Sequence, residues 1–356
     1  FFAGFFVVYG LLNRKPKDLA LLILVMVLCV AAGDALSNTL KHLIKRPRPF
    51  LVLPDVRLLV GMGHSFAMPS GHATTTTAVA TGAWAFLMGS TERRTRYWPL
   101  LGGYLLVLVL VVGFSRPYVG VHWVGDVLVG TILGLFTGYL VCRFIDTETT
   151  ALKEGQYLRA LLLFVIAVGL FRYYYIYTGP LRLSPDEAHY WDWSRTLQWS
   201  YYSKPPMVAY LIRLSTEVFG NTELGVRAWP PILSGLSSIV LYFFTVQAGR
   251  RIGLPEEVSS SGALLAGAFL QVVPVFATYG VIMTIDAPLI FFWSLALLVF
   301  SLSIERGGLL WGLLGLVVGL GMLTKFTMAF FIISAGLFFL MESSHRTKLK
   351  GPSPWV

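Results

Sequence analysis

Long apolar runs follow one another along almost the whole chain: Leu19–Leu40, His72–Gly89, Leu100–Phe114, Val124–Cys142, Leu161–Tyr177, Ile232–Ala248, Gly262–Tyr279, Pro288–Leu302, Leu309–Leu323 and Phe326–Met341. Nothing in the hydrocarbon of a bilayer can satisfy a bare backbone, so such runs cross it as helices, which bond their own amides internally. A water-soluble core cannot absorb this much apolar surface: 56% of the 356 residues are hydrophobic and 13% charged, with mean hydropathy +0.70. The expected fold is all-α, a polytopic integral membrane protein. Phe1–Leu12 is about 18 Å long as a helix, short of a span, and reads as the tail of a helix that begins upstream. With no basic stretch before it, this run does not read as a secretory signal. Cys29 and Cys142 sit in apolar runs and support neither a disulfide framework nor a thiolate metal site. The net charge of +10 is spread over the loops, and no motif points to a nucleic-acid partner.

Basic residues flank both ends of the spans. Arg14, Lys15, Lys17, Arg93, Arg94, Arg96, Arg143, Lys153, Arg159, Arg250, Arg251, Arg306, Arg346, Lys348 and Lys350 fall on one face, against Lys41, Lys45, Arg46, Arg48 and Arg57 on the other. Counting spans is more informative, because it places three polar clusters on a single side. With the first face cytoplasmic, those clusters look onto the periplasm or exterior.

The first cluster is Lys41 and Arg48 before Pro49, seven residues or about two helical turns apart, a convergent cationic pair of the kind a phosphate needs. The second is Pro69-Ser70-Gly71-His72 at the start of an apolar run, where free backbone N–H groups and the helix dipole can hold an oxyanion. The third is Ser115-Arg116 with His122 and Asp126, whose i, i+4 spacing puts imidazole and carboxylate on one face if the stretch is helical. Such a carboxylate selects the tautomer of the ring and stabilises its cation.

This pattern, Lys-x6-Arg-Pro, Pro-Ser-Gly-His and Ser-Arg-x5-His-x3-Asp, resembles the type 2 phosphatidic-acid phosphatase family over residues 1–145. The resemblance implies that His122 attacks phosphorus to form a phosphohistidine, with Asp126 orienting it and His72 protonating the leaving oxygen. Lys41, Arg48, Ser70, Gly71 and Arg116 would bind the phosphoryl oxygens, and no metal or other cofactor is implied. Taken singly, each feature has a plainer reading, since a membrane-edge histidine is more often a structural hydrogen-bonder and Pro-Ser-Gly-His alone would be a turn and cap. His42, Lys45, Arg46 and His64 share the face but not the pattern, and read as solvated loop residues or lipid-headgroup contacts. Thr74–Thr77 read as helix hydroxyls bonded back to backbone.

Between Asp146 and Tyr157 the composition turns to Thr, Glu, Lys and Gly, so residues 146–158 read as a cytoplasmic linker. Beyond it, Asp186-Glu187-Ala188-His189-Tyr190-Trp191, a set of interface-seeking aromatics, Lys204-Pro205-Pro206 and Thr284-Ile285-Asp286-Ala287-Pro288 stand out. These features resemble GT-C glycosyltransferases related to protein mannosyltransferases and the lipid A aminoarabinose transferase, over residues 159–356. By that resemblance Asp186 acts as base or positions the acceptor, Glu187 accompanies it, Asp286 assists, and Lys204 holds the phosphate of a polyprenyl-phosphate sugar. Plainer readings are an acid pair capping a loop helix and snorkelling for Lys204 and Lys325. A divalent metal is entertained for this half, with His189 beside two acids. Members of that class have more spans, so this half reads as incomplete.

The two resemblances together imply a phosphatase bundle followed by a GT-C-like bundle in a bacterial inner membrane, with both sites periplasmic. The implied partners are a membrane lipid phosphate, such as a polyprenyl pyrophosphate, phosphatidylglycerol phosphate or lipid A, and a polyprenyl-phosphate sugar. Rival readings are a lipid phosphotransferase using the same histidine, a glycosyltransferase whose phosphatase half recycles carrier lipid, a vanadium haloperoxidase, and a non-catalytic lipid-binding scaffold.

Overall fold

The computed structural model describes residues 2–13, 15–61, 65–179 and 182–342. His64, Arg14, Arg346, Lys348 and Lys350 lie outside the described residues. The chain divides into two compact units, Phe1–Thr150 and Ala151–Val356. The described secondary structure is helical, and six segments are long and apolar enough to cross a membrane: Pro16–Val52, Trp98–Tyr118, Val124–Lys153, Tyr157–Thr178, Glu223–Arg251 and Asp286–Arg306. The protein is an all-α, polytopic integral membrane protein.

The first unit comprises α1 (Phe2–Asn13), α2 (Pro16–Ile44), α3 (Pro49–Val52), α4 (Gly71–Met88), α5 (Trp98–Tyr118) and α6 (Val124–Lys153). Its core gathers Phe5, Tyr9, Leu22, Val25, Cys29, Val79, Phe86, Leu105 and Ile145 around α4. Helix α4 was expected as a span but is not one of the six; His72 and Thr74–Thr77 lower its hydropathy, and protein rather than lipid covers its buried residues. Helix α6 approaches α4 along Gly130, Gly134 and Gly138. A Cβ on Gly130 would stand 2.8 Å from the Ser70 carbonyl oxygen, and one on Gly134 would stand 2.9 Å from the Ala78 amide nitrogen. One on Gly138 would collide with the Ala78 carbonyl. Only hydrogen fits there, so the two backbones meet without intervening side chains. That contact carries the start of α6 to the start of α4.

The polar stretch after Asp146 remains helical to Lys153, and only Glu154–Gln156 forms a turn. Asp146 itself is tied back by Arg93 at 2.7 Å.

The second unit comprises α7 (Tyr157–Thr178), α8 (Pro185–Arg195), α9 (Met207–Phe219), α10 (Glu223–Val226), α11 (Trp229–Arg251), α12 (Glu256–Val272), α13 (Pro274–Tyr279), α14 (Asp286–Arg306), α15 (Leu310–Met322) and α16 (Ala329–Met341). Three expected spans come out shorter. The run Gly262–Tyr279 breaks at Val273, whose ψ of 125° is extended, because Pro274 disfavours helical backbone in the residue before it and has no N–H to give. The runs Leu309–Leu323 and Phe326–Met341 yield helices of 13 residues each, about 20 Å long against roughly 30 Å of hydrocarbon. Lys325, with φ −158° and ψ 132°, is extended between them.

Candidate functional site

Helix α2 ends at Ile44, earlier than Pro49 alone would require, with Lys45 in the left-handed region at φ 52°. Arg48 is therefore on the extended segment before α3 and not two turns along the helix from Lys41. Pro47 and Pro49 explain the break, since each pushes its predecessor out of the helical region. Arg48 is buried, held by Nε–H and Nη2–H donating to the Ser65 carbonyl and hydroxyl at 2.7 and 2.9 Å. Lys41 reaches the first turn of α4, where a Cβ on Gly71 would lie 3.3 Å from its Nζ and 3.2 Å from the Ser37 hydroxyl. Ser70 caps α4 in extended conformation and is fully buried. Arg116, in the last turn of α5, donates to Ser115 Oγ at 3.0 Å. The charges of Arg116, His122, Lys41 and Arg48 all bear on the ring of His72. The segments named from sequence thus meet near the N-terminal end of α4, where His72 is exposed while His122, Asp126, Ser70 and Arg48 are buried.

His122 is not on α6 with Asp126. It sits in the bend before the helix, and Asp126 occupies the first turn. The Asp126 backbone carbonyl accepts Ser70 N–H at 3.0 Å, which joins the two helix starts. Asp126 Oδ2 accepts the Trp123 N–H at 2.9 Å, the return half of a capping box. The same oxygen lies 3.6 Å from His122 Nδ1, an ion-pair separation longer than a hydrogen bond. Asp126 Oδ1 belongs to Arg46, whose Nη1–H donates at 2.9 Å.

Arg46 is therefore not a solvated loop residue. Its pairing with Asp126 spans eighty positions of sequence, and its guanidinium also lies 5.3 Å over the Trp123 ring. Ser37 was likewise overlooked; it stands one helical turn before Lys41, the one signal that could have drawn attention to it. His42 and Lys45 are exposed, as solvated residues would be.

In the second unit, the acids of α8 differ sharply. Asp186 is exposed. Glu187 is fully buried and accepts Arg227 Nε–H and Nη2–H, both at 2.7 Å, the Ser184 N–H at 2.9 Å and the Met283 N–H at 3.0 Å. Burial alone would raise its pKa, but the Arg227 and backbone hydrogen bonds outweigh that and hold it below the ordinary value. All its acceptor positions face donors, so Glu187 clamps three segments together; no free carboxylate is left there. Asp286 pairs with Lys325 at 2.7 Å. Tyr190 feels both Asp186 and Asp286, and burial followed by these two charges pushes its hydroxyl pKa up. The two acids singled out from sequence therefore bear on one phenol. Lys204 is half-buried in the turn before α9, and its carbonyl accepts Tyr201 N–H at 3.3 Å. His189 packs on Trp193 with ring centroids 4.5 Å apart. Among the described residues, no three His, Cys, Asp or Glu side chains gather as a metal site requires.

Two family models match different parts of the chain. Residues 2–150 match the PAP2 superfamily, and residues 203–356 match the family described as dolichyl-phosphate-mannose-protein mannosyltransferase. The chain is 31% identical over 194 residues to the lipid A galacturonosyltransferase RgtD of Rhizobium johnstonii, covering 54% of this chain and 39% of that one. It is 31% identical over 135 residues to the undecaprenyl-diphosphatase of Sulfolobus acidocaldarius, covering 38% of this chain and 60% of the relative. Phosphatidylglycerophosphatase B of Bacillus subtilis is 35% identical over 121 residues, covering 34% of this chain and 57% of the relative. The chain thus spans between 39% and 60% of the length of these relatives. No solved structure matches. One polypeptide here joins a segment of the PAP2 superfamily type, at residues 2–150, to a segment of the dolichyl-phosphate-mannose-protein mannosyltransferase type, at residues 203–356.

Proposed function

We propose that the first unit is a membrane lipid phosphatase that works through a phosphohistidine, and that the second belongs to a transferase using a polyprenyl-phosphate sugar. The observation that carries the first reading is the joining of the starts of α4 and α6 by the Ser70–Asp126 hydrogen bond, with Lys41 against Gly71 and the charges of Arg116, His122, Lys41 and Arg48 bearing on His72. Anionic phosphoryl oxygens fit that setting, with the first turn of α4 from Gly71 supplying N–H groups, the Ser70 N–H being held by the Asp126 carbonyl, and the cations neutralising charge that grows in the transition state. His122 attacks phosphorus as the bond to the lipid oxygen breaks, and His72 gives that oxygen its proton. Water then attacks the phosphohistidine, His72 takes the water's proton, and His122 leaves as a neutral ring. Asp126 offsets the imidazolium charge between the two steps.

The substrate class is an envelope lipid carrying a phosphate or pyrophosphate monoester: a polyprenyl pyrophosphate, a phosphatidylglycerol phosphate or a lipid A. Two relatives are named for diphosphatase or phosphatase activities of this kind. In the second unit, Asp186 acts on the acceptor and Lys204 holds the donor phosphate, while the charge of Asp286, paired with Lys325, bears on Tyr190. Both sites face the periplasm of a bacterial inner membrane in this reading, and the phosphatase half needs no metal.

The test is phosphate release from a panel of lipid phosphates in detergent, with and without chelator. Wild type and Asp186→Ala should release phosphate alike in both conditions, whereas His122→Ala should lose at least about a thousandfold. Release that survives His122→Ala removes the nucleophile, and release abolished by chelator removes the metal-free route.

A further inference from the structure

Arg46 is held at both ends. Its backbone carbonyl accepts Ala67 N–H at 2.9 Å, and its neighbour Pro47 accepts the Trp123 indole N–H at 3.0 Å. Its guanidinium spans Trp123 and Asp126 Oδ1, at 5.3 Å and 2.9 Å. The Asp126 side chain is completely buried, so its charge must be met locally. We propose that Arg46 is a positioning residue for the nucleophile: by taking Oδ1 of Asp126 it limits the share of that charge which reaches His122, and so sets the pH above which His122 is free to attack. The proposal rests on the reading of His122 as nucleophile.

Asp126 has two oxygens and three claimants. Oδ1 is given to Arg46, and Oδ2 is divided between the Trp123 amide at 2.9 Å and His122 Nδ1 at 3.6 Å. The other charged groups around the pocket are Lys41 on α2, with Asp34 acting on it, Arg48 before α3, His72 on α4 and Arg116 on α5. Arg48 also acts on Asp126, so the carboxylate keeps a cationic neighbour when Arg46 is neutralised. His122 then becomes its principal close counter-charge. The imidazolium is favoured, and the ring releases its proton only at higher pH.

The experiment is the pH dependence of lipid phosphate release for wild type, Arg46→Gln, Arg46→Lys, Asp126→Asn and the Arg46→Gln/Asp126→Asn pair. Arg46→Gln keeps a donor for Oδ1 and removes only the charge. Its acid-side half-maximum should move up by about one pH unit, the scale of one partly screened charge a few ångströms away. Arg46→Lys should restore the wild-type profile to within a few tenths of a unit. Adding Arg46→Gln to Asp126→Asn should produce no further shift, because Arg46 acts through that carboxylate. In parallel, ring NMR of His122, identified as the signal missing from His122→Gln, reads the same shift in protein that does not turn over. A wild type that releases no phosphate sinks the functional reading while the NMR still decides this one. A uniform loss of rate with no displacement in Arg46→Gln overturns the proposal, as does Arg46→Lys behaving like Arg46→Gln, or a His122 signal whose titration is the same in wild type and Arg46→Gln.

Discussion

Replacing Glu187 by Gln keeps the volume of the side chain and removes one charge from a site in which Glu187 and Arg227 are 0% and 2% exposed. The guanidinium stays behind, still desolvated, and the new amide turns an NH2 toward donors that had faced an oxygen. These donors are Arg227 Nε–H and Nη2–H, Ser184 N–H and Met283 N–H. Removing one partner of a buried ion pair costs about 3–5 kcal/mol, and each orphaned buried donor is itself worth about 1–3 kcal/mol. The terms overlap, so about 4 kcal/mol is the expected loss. For a unit of roughly two hundred residues this lowers Tm by on the order of 10 °C. The measurement is thermal unfolding of the purified protein in detergent, followed by near-ultraviolet circular dichroism, which reports the tryptophans packed around α8. A fall of less than about 2 °C would refute the clamp. Loss of sugar transfer at unchanged Tm would return Glu187 to the chemistry.

Acid should erase the same contribution. The folded-state pKa of Glu187 is depressed below its ordinary 4.5, so its stabilisation is complete above that value and is lost as pH falls through the lower folded-state value. Wild type and Glu187→Gln should therefore differ most in Tm near neutrality and converge as pH falls through the lower folded-state value, and a constant gap would contradict the linkage. Gly134→Leu should disturb the proposed phosphate site from a distance. A Cβ there stands 2.7 Å from Thr77 Cβ and 2.9 Å from the Ala78 amide nitrogen, so α6 must move from α4 and displace His122 relative to His72. Phosphate release should fall at least about tenfold, since a shift of about 1 Å in a reacting group can cost a hundredfold. Gly103, with nothing within 4 Å of its Cβ position, is the control; equal effects of Gly103→Leu and Gly134→Leu would dismiss the close approach as the cause.

The membrane class was legible because hydropathy adds up locally: a run such as Leu100–Phe114 has nowhere else to go. The side chains proposed to handle phosphate could be nominated in the same way, since Lys41, Arg48, Ser70, His72, Arg116, His122 and Asp126 carry their chemistry in their identity and spacing. Less could be read about helix lengths. The single proline at Pro274 and the extended Lys325 break runs whose average hydropathy is indifferent to one backbone angle.

The fates of Arg46 and Glu187 were settled only in three dimensions. Beside Lys45 on a polar loop, Arg46 looks like any solvated cation, and its partner lies eighty residues away in the first turn of α6. Glu187, next to Asp186 in the chain, looks like its equal. Successive residues on a helix point about 100° apart, however, and the turn of α8 that leaves Asp186 in water drives Glu187 onto Arg227 and Met283. Sequence determined which charges this protein owns. Packing decided which of them are consumed as counter-charges inside the fold and which are left to meet a substrate, because desolvation depends on neighbours that linear order does not name.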